Sequence, residues 1–194
     1  DILLYGSVLF FKEPRSAGFV SWHQDGTYMG IEPHTFVTAW LALTPSNAEL
    51  GCIKVIPGSH KHGILSHQDT FGEDNILTRG QTIEDIDESS AVDLVLRPGQ
   101  ISLHHARTVH GSMPNRGKQR RLGVALQCYM RPDCRQVIGE NLAQVVRGCA
   151  NLSSYSILNR PVEDMDRAAV NERERANKNW AEILYQGASQ VRAY

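Results

Sequence analysis

Two copies of the tripeptide His-Gln-Asp place an imidazole and a carboxylate two residues apart, at His23–Asp25 and at residues 67–69. In a β-strand, residues i and i+2 point to the same face, so either pair could aim both side chains at one point. A further histidine would complete a facial triad of two histidines and one carboxylate, which leaves three positions open on an octahedral iron. The motif alone is weak evidence, because a surface histidine beside a solvated aspartate gives the same pattern.

The surroundings of the two copies favour the first as the metal site. His23 follows Phe19 and Trp22 and precedes a block of predicted strands, whereas the second copy lies in a long polar segment, residues 61–90. Rigid elements position ligands better than loops do. Spacing leaves the third ligand open among His104, His105 and His110.

Short predicted strands occupy the first two thirds of the chain. "FVTAWLALT" (36–44), "GCIKVIPGSH" (51–60), "AVDLVLRPGQISLHH" (91–105) and "RRLGVALQCYM" (120–130) are rich in β-branched or aromatic residues and are separated by turns that contain proline or glycine. With no helix between them, they favour a sandwich or barrel over βαβ units. Helical spacing predicts a helix over 135–148, with Gly148 as its cap, and another over 163–188.

Composition narrows the class of protein. The 194 residues fit one domain, and a formal net charge of −1 gives no reason to expect nucleic acid or an anionic membrane as partner. No apolar run reaches the ~20 residues that span a bilayer, and we expect no signal peptide. The four scattered cysteines are typical of reduced thiols in a cytoplasm. The chain begins at Asp1 in an apolar run, so we expect either a fragment of a longer protein or a chain whose N-terminal residues are missing here.

Five ordered blocks between residues 20 and 130 resemble the phytanoyl-CoA dioxygenase superfamily of Fe(II)- and 2-oxoglutarate-dependent oxygenases. They are H-x-D, W-x-A-L, I-P-G-S-H, P-G-x₅-H, and H-x-S-x-x-N followed by an arginine. The resemblance implies a mainly β fold with a double-stranded β-helix (jelly-roll, cupin-like) core and with flanking and C-terminal helices. We therefore expect one oxygenase domain over 1–194, with a β core at about 1–132, a helical segment at about 133–194, and the N-terminal part of the family fold missing.

The resemblance also implies roles for individual residues. His23, Asp25 and His110 would hold Fe(II), which would leave His104 and His105 as structural or cavity-lining residues. Arg121 and Ser112 would bind the distal carboxylate of 2-oxoglutarate, and Trp40 would lie near that cosubstrate. The alternatives are a solvated strand-end arginine for Arg121 and a core aromatic for Trp40.

Strand parity makes a separate prediction about the arginine. If Arg121 points inward, Gly123, Ala125 and Gln127 do so too, while Arg120 faces away. The two small residues would leave room for a bound acid.

The implied reaction is a hydroxylation that consumes O2 and releases succinate and CO2. The presence of Asp25 favours it over halogenation, and the lack of a large basic patch favours a small polar organic substrate. Tyr28, Asn75 and Arg79 are candidate substrate contacts, although each could be an ordinary loop residue. Two alternatives are a non-catalytic cupin-like metal- or ligand-binding module and a zinc hydrolase on the same barrel. We expect no nucleic-acid or membrane partner, and the sequence leaves the oligomeric state open.

Overall fold

The computed structural model describes residues 1–149 and 154–192, and within them it contains twelve strands and one α-helix. The elements are β1 (Ile2–Lys12), β2 (Val20–His23), β3 (Ile31–Glu32), β4 (Val37–Ala42), β5 (Ile53–Val55), β6 (Val92–Asp93), β7 (Ile101–His105), β8 (His110–Ser112), β9 (Arg121–Met130), β10 (Arg135–Gln136), β11 (Leu142–Arg147), β12 (Ser156–Ile157) and α1 (Arg167–Leu184).

The strands form two main sheets that face each other. The larger has the order β12-β11-β1-β9-β4-β7, the smaller has the order β2-β8-β5-β6, and β3 and β10 form a separate pair. Trp40 of β4 and Ile53 of β5 belong to one buried cluster, so side chains of both sheets meet between them. This arrangement confirms the expected mainly β, jelly-roll fold.

Alternation along β9 decides which of its side chains enter the space between the sheets. Arg121, Gly123, Ala125 and Gln127 are buried, and the residues between them are only half-buried. Arg120 is exposed, and its Nη2 lies 2.6 Å from Oε1 of Glu13. The parity prediction is therefore confirmed.

The prediction of a helix over 135–148 is wrong. Gly139 interrupts the segment with a φ of 64°, and residues Leu142–Arg147 form β11, which pairs antiparallel with β1. The β-branched Val145 and Val146 suit a strand as well as a helix, and the free edge of β1 supplies the hydrogen bonds that decide between them. The β core consequently extends past residue 132 into the segment expected to be helical.

The predicted helix at 163–188 is confirmed as α1. Asp166 caps it by accepting a hydrogen bond from the backbone N–H of Ala168. Its last turns pack Trp180 and Leu184 against the main core cluster. Among the described residues, no helix is both long and apolar enough to cross a membrane.

The long polar segment 61–90 is held along β2 rather than projecting from the barrel. The backbone N–H of Ile76 donates to the carbonyl of Phe19 at 2.8 Å, and that of Ile83 donates to the carbonyl of Trp22 at 2.8 Å. These bonds make the segment a fixed wall beside the strand that carries His23.

Candidate active site

His23, Asp25 and His110 converge between the two sheets, where their candidate ligand atoms all lie within 4.8 Å of one another. The Nε2 atoms of both histidines lie 3.7 Å from Oδ1 of Asp25. His23 and His110 are opposite each other in the antiparallel pairing of β2 with β8, which explains how residues 87 positions apart meet.

Each of these histidines has one ring nitrogen fixed by the backbone. Nδ1 of His23 lies 2.9 Å from the carbonyl oxygen of Ser21, and Nδ1 of His110 lies 2.9 Å from that of Thr108. Because a carbonyl only accepts, both Nδ1 atoms carry the proton, which leaves the Nε2 lone pairs facing Asp25. This is the tautomer that a metal-binding histidine needs.

Asp25 reaches the site from a turn rather than from the strand that the motif predicted. β2 ends at His23, and Asp25 begins a short 3₁₀ turn, Asp25–Thr27. Gln24 between them remains extended, at φ −126° and ψ 130°, so the two side chains still point to the same side. The Thr38 hydroxyl donates to Oδ2 of Asp25 at 2.6 Å and thereby fixes the carboxylate.

The protonation states of the triad suit a cation. Burial raises the pKa of Asp25, but the facing imidazoles of His110, His104 and His23 outweigh it and hold this pKa well below its usual value. Burial, reinforced by His23 and His104, holds the pKa of His110 well below its ordinary value. An ionised Asp25 and a neutral His110 fit Fe(II), and the same set of ligands would also accept zinc or manganese.

His104 belongs to the lining of the same cavity, as expected for the histidines of the strand before His110. Its Nε2 lies 3.3 Å from Oδ2 of Asp25, whereas His23 and His110 approach Oδ1. His105, its neighbour on β7, instead lies near His60, with 5.7 Å between the ring centroids.

The histidine of the second His-Gln-Asp copy holds the backbone of the first copy in place. Nδ1 of His67 lies 2.8 Å from the carbonyl of Leu65, and its Nε2 accepts a hydrogen bond from the backbone N–H of Gln24 at 3.1 Å. Both ring nitrogens are therefore engaged with the backbone. Gln24 faces away from the metal ligands, as predicted, and its side-chain amide binds the segment near Gly63.

Arg121 forms a buried cationic site in the same cavity. It is 3% exposed, and its Nε has no hydrogen-bond partner among the described residues. Burial lowers the pKa of the guanidinium to about 10, so it stays charged at neutral pH. An unpaired buried cation beside an open cavity is a binding site for an anion such as a carboxylate.

Lys12 is a residue of this site that the sequence analysis missed. It is 2% exposed and lies opposite Arg121 in the pairing of β1 with β9. Its Nζ donates to Oγ of Ser112 at 2.7 Å, to the Ser112 carbonyl at 3.1 Å and to the carbonyl of Met113. While Lys12 is protonated its ammonium has no lone pair, so the Ser112 oxygen accepts and the hydroxyl proton is free to donate to a ligand. A lone cation at the end of an apolar strand was the only sequence signal.

Trp40 occupies the space that the small residues of β9 leave, which corrects the expectation that a bound acid would fill it. A Cβ on Gly123 would lie only 2.1 Å from the Trp40 ring. Cζ of Arg121 stacks 4.4 Å from the ring centroid. Trp40 therefore lines the cavity and fixes the arginine that flanks it.

The candidate substrate contacts separate into two groups. Tyr28 lines the cavity, and its ring centroid lies 5.5 Å from that of His23. Asn75 and Arg79 are not among the lining residues. Asn75 is 2% exposed and donates to the hydroxyl of Ser21. Arg79 pairs with Asp69 at 2.6 Å and donates to the carbonyl of Leu184 at 3.0 Å, so it fastens the 61–90 segment to the end of α1.

Known proteins are similar to this chain in sequence and in architecture. The family model described as phytanoyl-CoA dioxygenase (PhyH) matches residues 2–123. A probable alpha-ketoglutarate-dependent hypophosphite dioxygenase of Stutzerimonas stutzeri is 31% identical over 163 residues, which cover 81% of this chain and 52% of the relative. The chain spans about half the length of the curated relatives it matches.

Solved structures extend the similarity. The apo form of ThoJ, a non-heme monooxygenase, superposes with a TM-score of 0.84 at 33% identity, covering 96% of this chain and 68% of ThoJ. EvdO2 of Micromonospora carbonacea var. aurantiaca, solved with 2-oxoglutarate, gives a TM-score of 0.55 at 32% identity, covering 63% of this chain and 50% of EvdO2. A family match over more than half of the residues, on a jelly roll that gathers two histidines and an aspartate, leads to one conclusion: this chain belongs to the phytanoyl-CoA dioxygenase family.

Proposed function

We propose that this chain is the catalytic part of an Fe(II)- and 2-oxoglutarate-dependent dioxygenase that hydroxylates an organic substrate. The observation that carries the proposal is that one cavity is lined both by His23, Asp25 and His110 and by the unpaired, buried Arg121. A metal-binding module and a zinc hydrolase would each use the triad, but neither needs a second, buried cation in the same cavity.

In this proposal the residues of the chain bind the metal and the cosubstrate and hold them in a fixed orientation. His23 and His110 present Nε2 lone pairs while their Nδ1–H groups donate to backbone carbonyls. Asp25 offers Oδ1, since its Oδ2 is held by Thr38. Fe(II) and 2-oxoglutarate, when bound, supply the oxidising chemistry with O2, and the cosubstrate leaves as succinate and CO2.

The cosubstrate clamp uses two kinds of donor. The Arg121 guanidinium would pair with the distal carboxylate of 2-oxoglutarate, and the Ser112 hydroxyl, turned by Lys12, would donate to the same group. Trp40, Ile53 and Ala125 surround this end with apolar surface. Excluding water strengthens the charge interaction and holds the acid in one orientation.

We also propose that the protein works in the cytoplasm and acts on small molecules rather than on nucleic acid. All four cysteines are free thiols, three of them buried, which suits a reducing compartment. The net charge of −1 offers no electrostatic attraction for phosphate backbones.

Formation of succinate from 2-oxoglutarate tests the reaction. With Fe(II) and O2, the wild-type protein should form succinate slowly without any added substrate, and Asp25→Ala should form none. Arg120→Ala, which alters an exposed arginine next to the clamp, should keep the wild-type rate. Iron binding without succinate formation would contradict the proposal and favour the non-catalytic module.

A further inference from the structure

The cavity is much larger than the metal and cosubstrate sites need. Its volume is about 780 Å³, within the usual range for small-molecule sites. Beyond the clamp and the triad, three segments that are distant in sequence form its wall: β1, residues 76–78, and the last turns of α1. Their contribution is mostly apolar and includes Val8, Phe10, Ile76, Leu77, Trp180 and Leu184.

No charged side chain is left over for a substrate among the lining residues of the described chain. Apart from the histidines, the charged ones are Asp25, Arg121 and Glu13. The first two belong to the metal and cosubstrate sites, and Glu13 is exposed and paired with Arg120. Burying a substrate charge in this wall would leave it unpaired at a large cost, so the part of the substrate inside must be neutral.

Beyond the histidines and Arg121, three polar atoms of the cavity lining are buried without a partner among the described residues: Oε1 of Gln127, the hydroxyl of Tyr28 and Nε1 of Trp180. The side chains of Gln127 and Tyr28 are only 8% exposed. Of the three, the Gln127 oxygen is the one that can only accept a hydrogen bond. Gln127 lies on the inward face of β9 opposite Gly6, and a Cβ on Gly6 would be 2.9 Å from the ring of Trp180. An orphaned amide oxygen in an apolar wall points to a ligand that donates a hydrogen bond there.

We propose that the substrate is an uncharged, mainly apolar molecule that presents an N–H or O–H group to Oε1 of Gln127. The inference rests on the proposed oxygenase function, whose substrate it specifies. It replaces the small polar substrate expected from the sequence, because the wall that decides this point is assembled from segments whose proximity no local pattern reveals.

Binding of matched probes to the metal-free protein tests the proposal. N-phenyl-1-naphthylamine is neutral, aromatic and has one N–H, and its fluorescence rises in apolar surroundings. 1-Phenoxynaphthalene has the same shape with an ether oxygen in place of the N–H, and 8-anilino-1-naphthalenesulfonate adds a negative charge. Titration and competition give the affinity of each probe.

Wild-type protein should prefer the N–H probe over the ether by about tenfold. Because the free Arg121 could pair with a sulfonate, the charged probe is compared in Arg121→Met, which should prefer the N–H probe over the sulfonate by at least about tenfold. Gln127→Leu should bring the N–H to ether ratio close to one, and Gln127→Met serves as a second variant if the first folds poorly. Leu103→Ser should leave all affinities unchanged, since Leu103 is 70% exposed and lies outside the cavity lining.

Three results would overturn the proposal: equal binding of the sulfonate and the N–H probe by Arg121→Met, an N–H preference that persists in both Gln127 variants, or loss of binding in Leu103→Ser. The titrations need neither iron nor 2-oxoglutarate. Failure of this inference is therefore distinguishable from failure of the oxygenase proposal, which succinate formation decides.

Discussion

Replacing Arg121 with methionine should change binding and stability in opposite directions. Two charge-assisted hydrogen bonds to the distal carboxylate contribute about 1.5–3 kcal/mol each. Losing both should weaken 2-oxoglutarate binding by at least about a hundredfold. The cation itself is a cost to the unliganded fold, because burial lowers its pKa to about 10 from 12.5, which corresponds to about 3 kcal/mol.

Stacking of the Arg121 guanidinium on Trp40 offsets about 0.5–2 kcal/mol of this destabilisation. The unliganded Arg121→Met protein should thus be more stable than the wild type by about 1–2 kcal/mol, or by a few degrees in melting temperature. The wild type should gain about 2.7 kcal/mol with 2-oxoglutarate at a hundred times its Kd, and the variant should gain almost nothing at that concentration.

Thermal unfolding of the anaerobic Fe(II) protein, with and without 2-oxoglutarate, measures both effects. Arg120→Met is the matched control, since it makes the same change one residue away at an exposed position, and it should retain the full gain from 2-oxoglutarate. The reasoning is refuted if Arg121→Met is stabilised by 2-oxoglutarate as much as the wild type is. It is also refuted if the unliganded variant is clearly less stable.

Two further changes test the supporting contacts. Burial and the neighbouring Arg121 charge lower the pKa of Lys12 to about 7. Between that value and about 10.4 the unfolded chain holds a proton that the folded one has lost, so the wild-type free energy of unfolding should rise with pH above 7. The slope should approach 1.4 kcal/mol per pH unit between pH 7 and 8.5, and urea titrations of Lys12→Met should no longer show it. A slope that persists in this variant would contradict the lowered pKa of Lys12. Arg79→Gln should lower the free energy of unfolding by about 2–3 kcal/mol, because it frees the 61–90 segment from α1. Arg131→Gln is the control: its partner Asp133 is exposed, so urea unfolding should show no measurable change. Equal losses of stability in both variants would refute this role of Arg79.

Predictions that depend on a single strand or helix were correct where a local pattern alone determines the structure. Alternation along β9 predicted the inward face of Arg121 because a period of two is fixed by the backbone. The charged helix α1 was also predictable from its own residues. The segment 135–148 was not, because the hydrogen bonds offered by the edge of β1 outweighed its helical spacing.

Features that depend on contacts between distant segments could not be predicted from the sequence. Lys12 contacts Ser112, which is 100 residues away in sequence, and no local pattern near either residue predicts the contact. The room beside Gly123 was foreseen, but its occupant, Trp40, comes from another strand. The apolar wall of the cavity has the same origin, and so the nature of the substrate could be argued only from the assembled fold.

An anaerobic absorbance titration with Fe(II) and then 2-oxoglutarate tests the central claim most directly, because chelation of iron by the cosubstrate produces a visible charge-transfer band. We expect the band in the wild type and in His67→Gln, whose amide can still accept from the backbone of Gln24, and we expect His23→Ala to lose it. A band that survives His23→Ala, or one lost only in His67→Gln, would contradict the assignment of the first His-Gln-Asp copy to the metal. No band in well-folded wild-type protein would contradict the binding of 2-oxoglutarate itself.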